Sequence, residues 1–161
     1  MSILHKLGAF LSLSRGERRL LAQAWAVLLE AWLRLHLLPF RHVLAWAGQV
    51  RQGASQPADH ANSPAIDDVE RAVRRAAGHH WVPVRCLVRS LAMQRLLGQR
   101  GLKADLRIGV RKEHGMVQAH AWVEFWGRPV GEEEAAVVRF ARLAASDGAV
   151  EVGVLRSLAR L

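Results

Sequence analysis

Hydrophobic positions along this chain keep helical spacing through its first half and switch to strict alternation between Ala104 and Val110. Ser14 and Glu17 form a capping-box pattern that opens a helix running to about Leu38, where Pro39 ends it. A further helical piece is expected over Arg41–Arg51. Residues Gly53–Pro64 collect Gly, Ala, Ser, Pro, Asn and Asp without periodicity and read as a linker. The expected organisation is therefore an N-terminal helical region (1–52), the linker (53–64) and a second region over 65–161. Ser63 and Pro64 suit an N-cap followed by proline at the first helical position, and that helix reaches Ala77 with Gly78 as its stop.

After the short His79–Pro83 passage, Cys86 opens another helix along which Leu87, Leu91 and Leu96–Leu97 keep helical spacing, with Gly98 and Gly101 bracketing its exit. A strand follows, with Ala104, Leu106, Ile108 and Val110 on one face and Asp105, Arg107 and Arg111 on the other. Lys112–Gly115 is expected to turn, and Met116–Phe125 to return as a second strand. Trp126-Gly127 turns again, and Arg128–Glu132 is expected as a third strand. Beyond Glu134 the pattern fits helix or strand, and there is no internal repeat. The fold class implied is α+β, a cysteine-bearing helix packed on a small antiparallel sheet.

With 161 residues, 51% of them hydrophobic, there is ample material for a packed core. The formal charge of +9 attracts polyanions, acidic peptides or anionic surfaces. The basic residues are scattered arginines without a zinc pattern, phosphate loop or aromatic-basic motif, so nucleic-acid binding is disfavoured. A single cysteine excludes an internal disulfide and thiolate-rich zinc sites. Residues 7–13 lack a cleavage site, which reads as no signal peptide and a cytoplasmic protein. Leu20–Leu38 approaches membrane-spanning length but carries Gln23, Glu30, Arg34 and His36, with Glu30 and Arg34 spaced to pair on one face. Membrane-surface contact is thus possible in principle but not favoured.

The chemistry centres on order: Cys86 at a helix start, His120 in a strand, an acid after the next turn. A helix N-terminus favours thiolate over thiol and supplies N–H groups for an oxyanion. A histidine on a rigid strand can present one nitrogen to sulfur while a carboxylate orients the other. Glu124 shares His120's sheet face but lies about 13 Å along the strand, too far for a hydrogen bond, so Glu124→Gln is expected to be close to neutral. With the turn centred near Trp126, Glu132 faces His120, and opposed Cβ atoms lie about 5 Å apart. A one-residue register change brings Glu133 opposite His120 instead; Glu132 is the choice.

Three runs carry a family resemblance: CLVRSLAM from Cys86, LRIGV at Leu106–Val110, and AHAWVEFWGRPVGE at Ala119–Glu132. Together, over roughly Ala65–Leu143, they closely resemble the transglutaminase-like B proteins of lasso-peptide biosynthesis, and LLPFR at Leu37–Arg41 is also similar to that family. The resemblance implies a papain-like cysteine peptidase that cuts leader from core in a ribosomally made precursor. It maps the nucleophile to Cys86, the base to His120 and the acid to Glu132. The first 50 residues read as apolar helix and leave no room for a leader-recognition domain, so the split form is expected, dependent on a separate leader-recognition protein. The precursor peptide is the substrate, and the macrolactam synthetase is a further candidate partner. No cofactor is required for hydrolysis.

Trp122, Trp126 and Gln118 fall on His120's strand face; the tryptophans are candidates for a substrate groove or for core packing, and Gln118 for an oxyanion donor. His79 and His80 lack a third ligand, so no metal is assigned. Arg107 and Arg111 are candidates for contact with an acidic leader or for solvating the sheet. Rival readings are acyl transfer to an amine, as in a transglutaminase, and a non-catalytic scaffold binding peptide or membrane.

Overall fold

The computed structural model describes residues 13–50, 63–113 and 116–143. Helix α1 (Arg15–Leu37) begins with the expected capping box: Ser14 Oγ accepts from the Glu17 N–H at 3.2 Å, and the Ser14 N–H donates to Glu17 Oε2 at 2.8 Å. Glu30 and Arg34 pair on it at 2.7 Å. Helix α2 (Phe40–Ala47) starts directly after Pro39 and stops at Gly48, shorter than the expected Arg41–Arg51. Most of the predicted linker, residues 53–62, lies outside the described residues. Helix α3 (Pro64–Ala77) has Ser63 at its N-cap, but the Ser63 side chain makes no capping bond; proline at the first position sets the start.

Helix α4 (Cys86–Gly98) is buried nearly all round, which marks a central helix rather than a surface one. It packs against α1, α2, α3 and the sheet. Leu28 of α1 and Leu87, Leu91, Leu96 and Leu97 of α4 are at most 1% exposed, each stabilising the fold by about 2 kcal/mol. Residues of α1 (Ala24, Val27, Leu28, Ala31) and α2 (Val43, Trp46, Ala47) belong to the same hydrophobic cluster as α3, α4 and the sheet. No helix among the described residues is long and apolar enough to cross a membrane.

The antiparallel sheet has the order β3-β2-β1-β4. Strand β1 (Asp105–Glu113) pairs with β2 (Met116–Phe125) from Asp105↔Glu124 to Glu113↔Met116. Lys112 and Glu113, expected in the turn, are thus strand residues, and His114 and Gly115 lie outside the described residues. Leu106 and Ile108 of β1 with Ala119, Ala121, Val123 and Phe125 of β2 face the helical core. The opposite face carries Asp105, Arg107, Gly109 and Arg111 against Glu124, Trp122, His120 and Gln118.

Strand β3 is only Arg128–Pro129, extended by one bond from the Val130 N–H to the Val123 carbonyl at 2.9 Å. The expected strand to Glu132 does not form, and a physical reason is visible at the edge of β2. Along a strand, alternate residues point their N–H and C=O to the same side, so Ala121 faces outward as Val123 does. There the Ser90 hydroxyl of α4 donates to the Ala121 carbonyl at 2.9 Å. The start of α4 occupies the edge that a longer β3 would need. The chain instead bends at Gly131, with φ of 71°. Beyond Glu134 both helix and strand occur, as α5 (Glu134–Val137) and β4 (Ala141–Arg142), the latter on the free edge of β1. Residues 144–161 lie outside the described residues.

Candidate active site

Cys86 is the first residue of α4, after an extended Arg85 whose side chain does not cap the helix. The first-turn N–H groups therefore stay available to the site. The half-buried Cys86 sulfur accepts from the backbone N–H groups of Leu87 and Ala121 and hydrogen-bonds the His120 ring. Burial alone pushes this thiol up; the bonds from His120, Ala121 and Leu87 outweigh it and bring the thiol below its ordinary value. Docking α4 on the β2 edge thus does two things: Ser90 satisfies the Ala121 carbonyl, and the sulfur satisfies the Ala121 N–H.

His120 Nε2 lies 3.3 Å from Glu132 Oε1, leaving Nδ1 as the nitrogen available to Cys86. The bond to Cys86, then the bond to Glu132, hold the imidazole protonated and raise its pKa to about 9, against the opposing cost of burial. Glu132 is lowered in turn, first by the bond from His120 and further by Arg89. The Arg89 guanidinium, one turn along α4 from Cys86, pairs with the same Oε1. The structure thus brings Cys86, His120 and Glu132 together, with the thiol lowered and the imidazole raised from their ordinary values.

Glu132 arrives by a different route from the one its position in the sequence suggests. The register is Glu124↔Pro129 and Phe125↔Arg128, and continuing it would set Glu133, not Glu132, opposite His120. Because β3 stops and Gly131 turns the chain, strand pairing does not apply at 132, and the Glu132 carboxylate reaches the ring from a bend.

Around His120 the ring of Phe140 lies at 5.3 Å and that of Trp122 at 6.1 Å between centroids. Gly109, opposite His120, has no room for a Cβ, which would stand 2.8 Å from Phe140 Cβ and 3.0 Å from the Trp122 ring. Trp122 is 1% exposed and donates from Nε1 to Glu124 Oε1 at 3.0 Å, so it packs inside the protein and does not wall an open groove. Trp126 stands in the turn with φ of 52°, about 20 Å along the chain from His120. Gln118 Oε1 accepts from both Arg111 Nε (2.9 Å) and Nη2 (2.7 Å), which anchors it to the neighbouring strand. Arg107 is likewise bound to Glu124 (3.0 Å) and Asp105 (3.3 Å). His80 stacks on Trp25 at 4.2 Å and its Nε2 contacts the Trp25 carbonyl at 3.2 Å, a structural link between loop and α1. Among the described residues no group of three or more His, Cys, Asp or Glu side chains could hold a metal ion.

A family model of the transglutaminase-like superfamily matches residues 25–145, from within α1 to past β4. The chain belongs to the transglutaminase-like superfamily. That superfamily includes cysteine peptidases and acyltransferases, and its members are in general cysteine-dependent catalysts. No curated protein and no solved structure matches the chain.

Within this transglutaminase-like site, three contributors were not assigned from sequence. Arg89 sits at i+3 from Cys86, the spacing that puts two helical side chains on one face, and that spacing was the available signal. Ser90 falls among the apolar, core-facing positions of α4 and is 5% exposed, a pattern that asks for a buried partner. Phe140 lies in the stretch whose periodicity was ambiguous, and its place beside His120 depends on β4 pairing.

Proposed function

We propose that this protein is a cysteine peptidase that removes the leader from a lasso-peptide precursor through a thioester acyl-enzyme. The observation that carries the hydrolytic site is the Cys86 sulfur, held at a helix start by two backbone N–H groups and the His120 ring, with Glu132 behind that ring. The lasso substrate rests on the three sequence runs at Cys86, Leu106 and Ala119.

In this reading the Cys86 thiolate adds to the scissile carbonyl carbon, and the carbonyl oxygen takes the negative charge. First-turn N–H groups of α4 would receive it. As the intermediate collapses, the C–N bond breaks and the His120 imidazolium gives its proton to the leaving amine. Neutral His120 then takes a proton from water as water attacks the thioester, and the C–S bond breaks to release the acid and the thiolate. Glu132 holds the ring orientation and stabilises its cationic form. No step needs a metal or organic cofactor. Leader binding is assigned to a separate recognition protein on the resemblance alone, with the synthetase as a further partner and the cytoplasm as the compartment.

Incubating the protein with a precursor peptide, with and without the recognition protein, and weighing the products by mass spectrometry tests the reading. Two fragments that together gain one water are expected. An intact precursor joined to an added amine would establish acyl transfer instead, and an unchanged precursor under both conditions would leave a non-catalytic scaffold.

A further inference from the structure

The outer edge of β2 is claimed in three different ways along its length. Phe125 and Val123 are met by β3 and Val130. Ala121 is met by α4, its carbonyl by Ser90 and its N–H by the Cys86 sulfur. Val117 and Ala119 point their N–H and C=O the same way by alternation, and among the described residues nothing meets them. Val117 and Met116 are 65% and 66% exposed, so this run of edge opens to solvent. Exposed strand edges are ordinarily blunted by charge, proline or a covering segment. Here the open run carries Met116, Val117, Gln118 and Ala119 and leads directly to the nucleophile.

Resting on the peptidase reading above, we infer that the Val117–Ala119 edge of β2 is the substrate's docking strand, which an extended peptide backbone joins as an added strand beside Cys86. The spacing fits. Outward-facing residues of a strand repeat about every 7 Å, so the groups of Ala119 lie that far from Ala121, whose N–H marks the sulfur. A peptide whose carbonyl is on the sulfur therefore places backbone groups one to two residues from the scissile bond against Ala119. It then continues along Val117. Such recognition takes affinity from main-chain bonds and is tolerant of side-chain identity, which suits a peptidase whose sequence selectivity is supplied by leader binding elsewhere. It also requires the substrate to be extended at the cut, so a folded or knotted segment is refused.

The test needs no natural substrate. Peptidyl aldehydes capture a reactive thiolate reversibly: sulfur adds to the aldehyde carbon, and the oxygen takes a proton. Acetyl-alanine aldehyde, acetyl-tetra-alanine aldehyde, and the latter with successive N-methylated amides are compared by their protection of Cys86 from iodoacetamide. The chain has one cysteine, so labelling reports that residue alone. The tetra-alanine aldehyde is expected to protect at about tenfold lower concentration than the single residue, the gain of one to two backbone bonds, and N-methylation near the aldehyde removes the gain. Val117→Pro deletes only an outward N–H and leaves the β1 ladder intact. It should shrink the length advantage, leaving the bonds to Ala119, with labelling without aldehyde unchanged. Equal protection by all lengths, indifferent to N-methylation, overturns the docking strand and leaves the peptidase reading standing. A Cys86 that labels at mildly acid pH no faster than an ordinary thiol sinks both. If Val117→Pro fails to fold, the N-methylated series decides alone.

Discussion

Two carboxylates sit on the sheet side of this molecule within a few residues of each other, and their surroundings differ in kind. Glu124 is 1% exposed and accepts from Trp122 Nε1 at 3.0 Å and Arg107 Nε at 3.0 Å, with Arg142 Nη2 at 2.8 Å. Glu132 is more open, its side chain 18% exposed, and both of its partners, His120 and Arg89, fall on Oε1. Burial pushes Glu124 up, yet Trp122 and the two arginines overrule it and bring it below the ordinary range. A carboxylate claimed on both oxygens by fixed donors is a tie: it joins β2 to β1 and pulls β4, with Phe140 ahead of it, onto the sheet. A carboxylate with one engaged oxygen beside a titrating ring is a tuner. The nearer in sequence to His120 is the tie, and the farther is the tuner.

The largest effects are expected at the groups the tuner serves. Cys86→Ala and His120→Ala should each lower precursor cleavage by about a thousandfold or more, because nucleophile and base act as a unit, with circular dichroism unchanged. Cleavage at the wild-type rate by folded Cys86→Ala would end the peptidase proposal.

Next comes the tie. From sequence alone Glu124→Gln is expected to be close to neutral for activity; the structure adds a cost in stability. Losing the charge leaves Arg107 with Asp105 alone and takes the carboxylate from Arg142; the two are 36% and 58% exposed, so the cost is moderated by solvent and should be about 2 kcal/mol in urea unfolding. Iodoacetamide labelling of Cys86 in the folded variant should stay rapid. The folded-state pKa of Glu124 is depressed, so its contribution is present above the unfolded carboxyl value and is lost as pH falls through the folded one. The variant should therefore narrow its gap to wild type in acid. A variant as stable as wild type at neutral pH would show that the two arginines do not depend on Glu124.

These two residues also mark what the sequence discloses and what it hides. The helix starts at Ser14 and Pro64, the alternating β1 and the cysteine at a helix start were legible because each is set by contacts within a few residues. His120 and Glu132 were legible as chemical types in a suggestive order. The route to Glu132 was not, because β3 ends where a distant helix claims the Ala121 edge, and nothing within the hairpin announces that. The burial of Glu124 was hidden for the same reason: Arg142 comes from β4, in the stretch where periodicity is ambiguous. Trp122 stayed open between groove wall and core because alternation assigns a face without saying what covers it.

At the tuner itself, Glu132→Gln should keep the fold and lower cleavage by about tenfold, since orientation suffers more than proton transfer. The sharper readout is pH. His120 titrates at about 9 instead of 6.5, and the bond to Glu132 is the second cause after Cys86. The rate of cleavage, which needs the His120 proton for the leaving amine, should therefore fall on the alkaline side near 9 in wild type, and at lower pH in Glu132→Gln. Stability follows the same sign: a raised imidazole contributes fully below 6.5 and loses its contribution as pH rises through about 9. An alkaline limb unmoved by Glu132→Gln would mean that Cys86 alone sets the ring.

The smallest expected effect isolates how Glu132 is delivered. Gly131 and Gly127 both adopt left-handed backbone, with φ of 71° and 77°, so alanine at either costs about 1 kcal/mol of stability. Their surroundings differ. A Cβ at Gly127 meets nothing within 4 Å, whereas one at Gly131 stands 2.8 Å from Glu70 Cγ. The contact falls on Cγ, part-way along the Glu70 side chain, which can rotate away, so no gross unfolding follows, but the bend that carries Glu132 must yield with it. Gly127→Ala is thus the control for backbone strain alone. Both variants should lose similar stability in urea. Only Gly131→Ala should lower cleavage a few fold and draw its alkaline limb below 9, in the direction of Glu132→Gln but by less. If Gly127→Ala shifts the limb equally, strain in the hairpin at large, and not the bend at 131, positions the carboxylate.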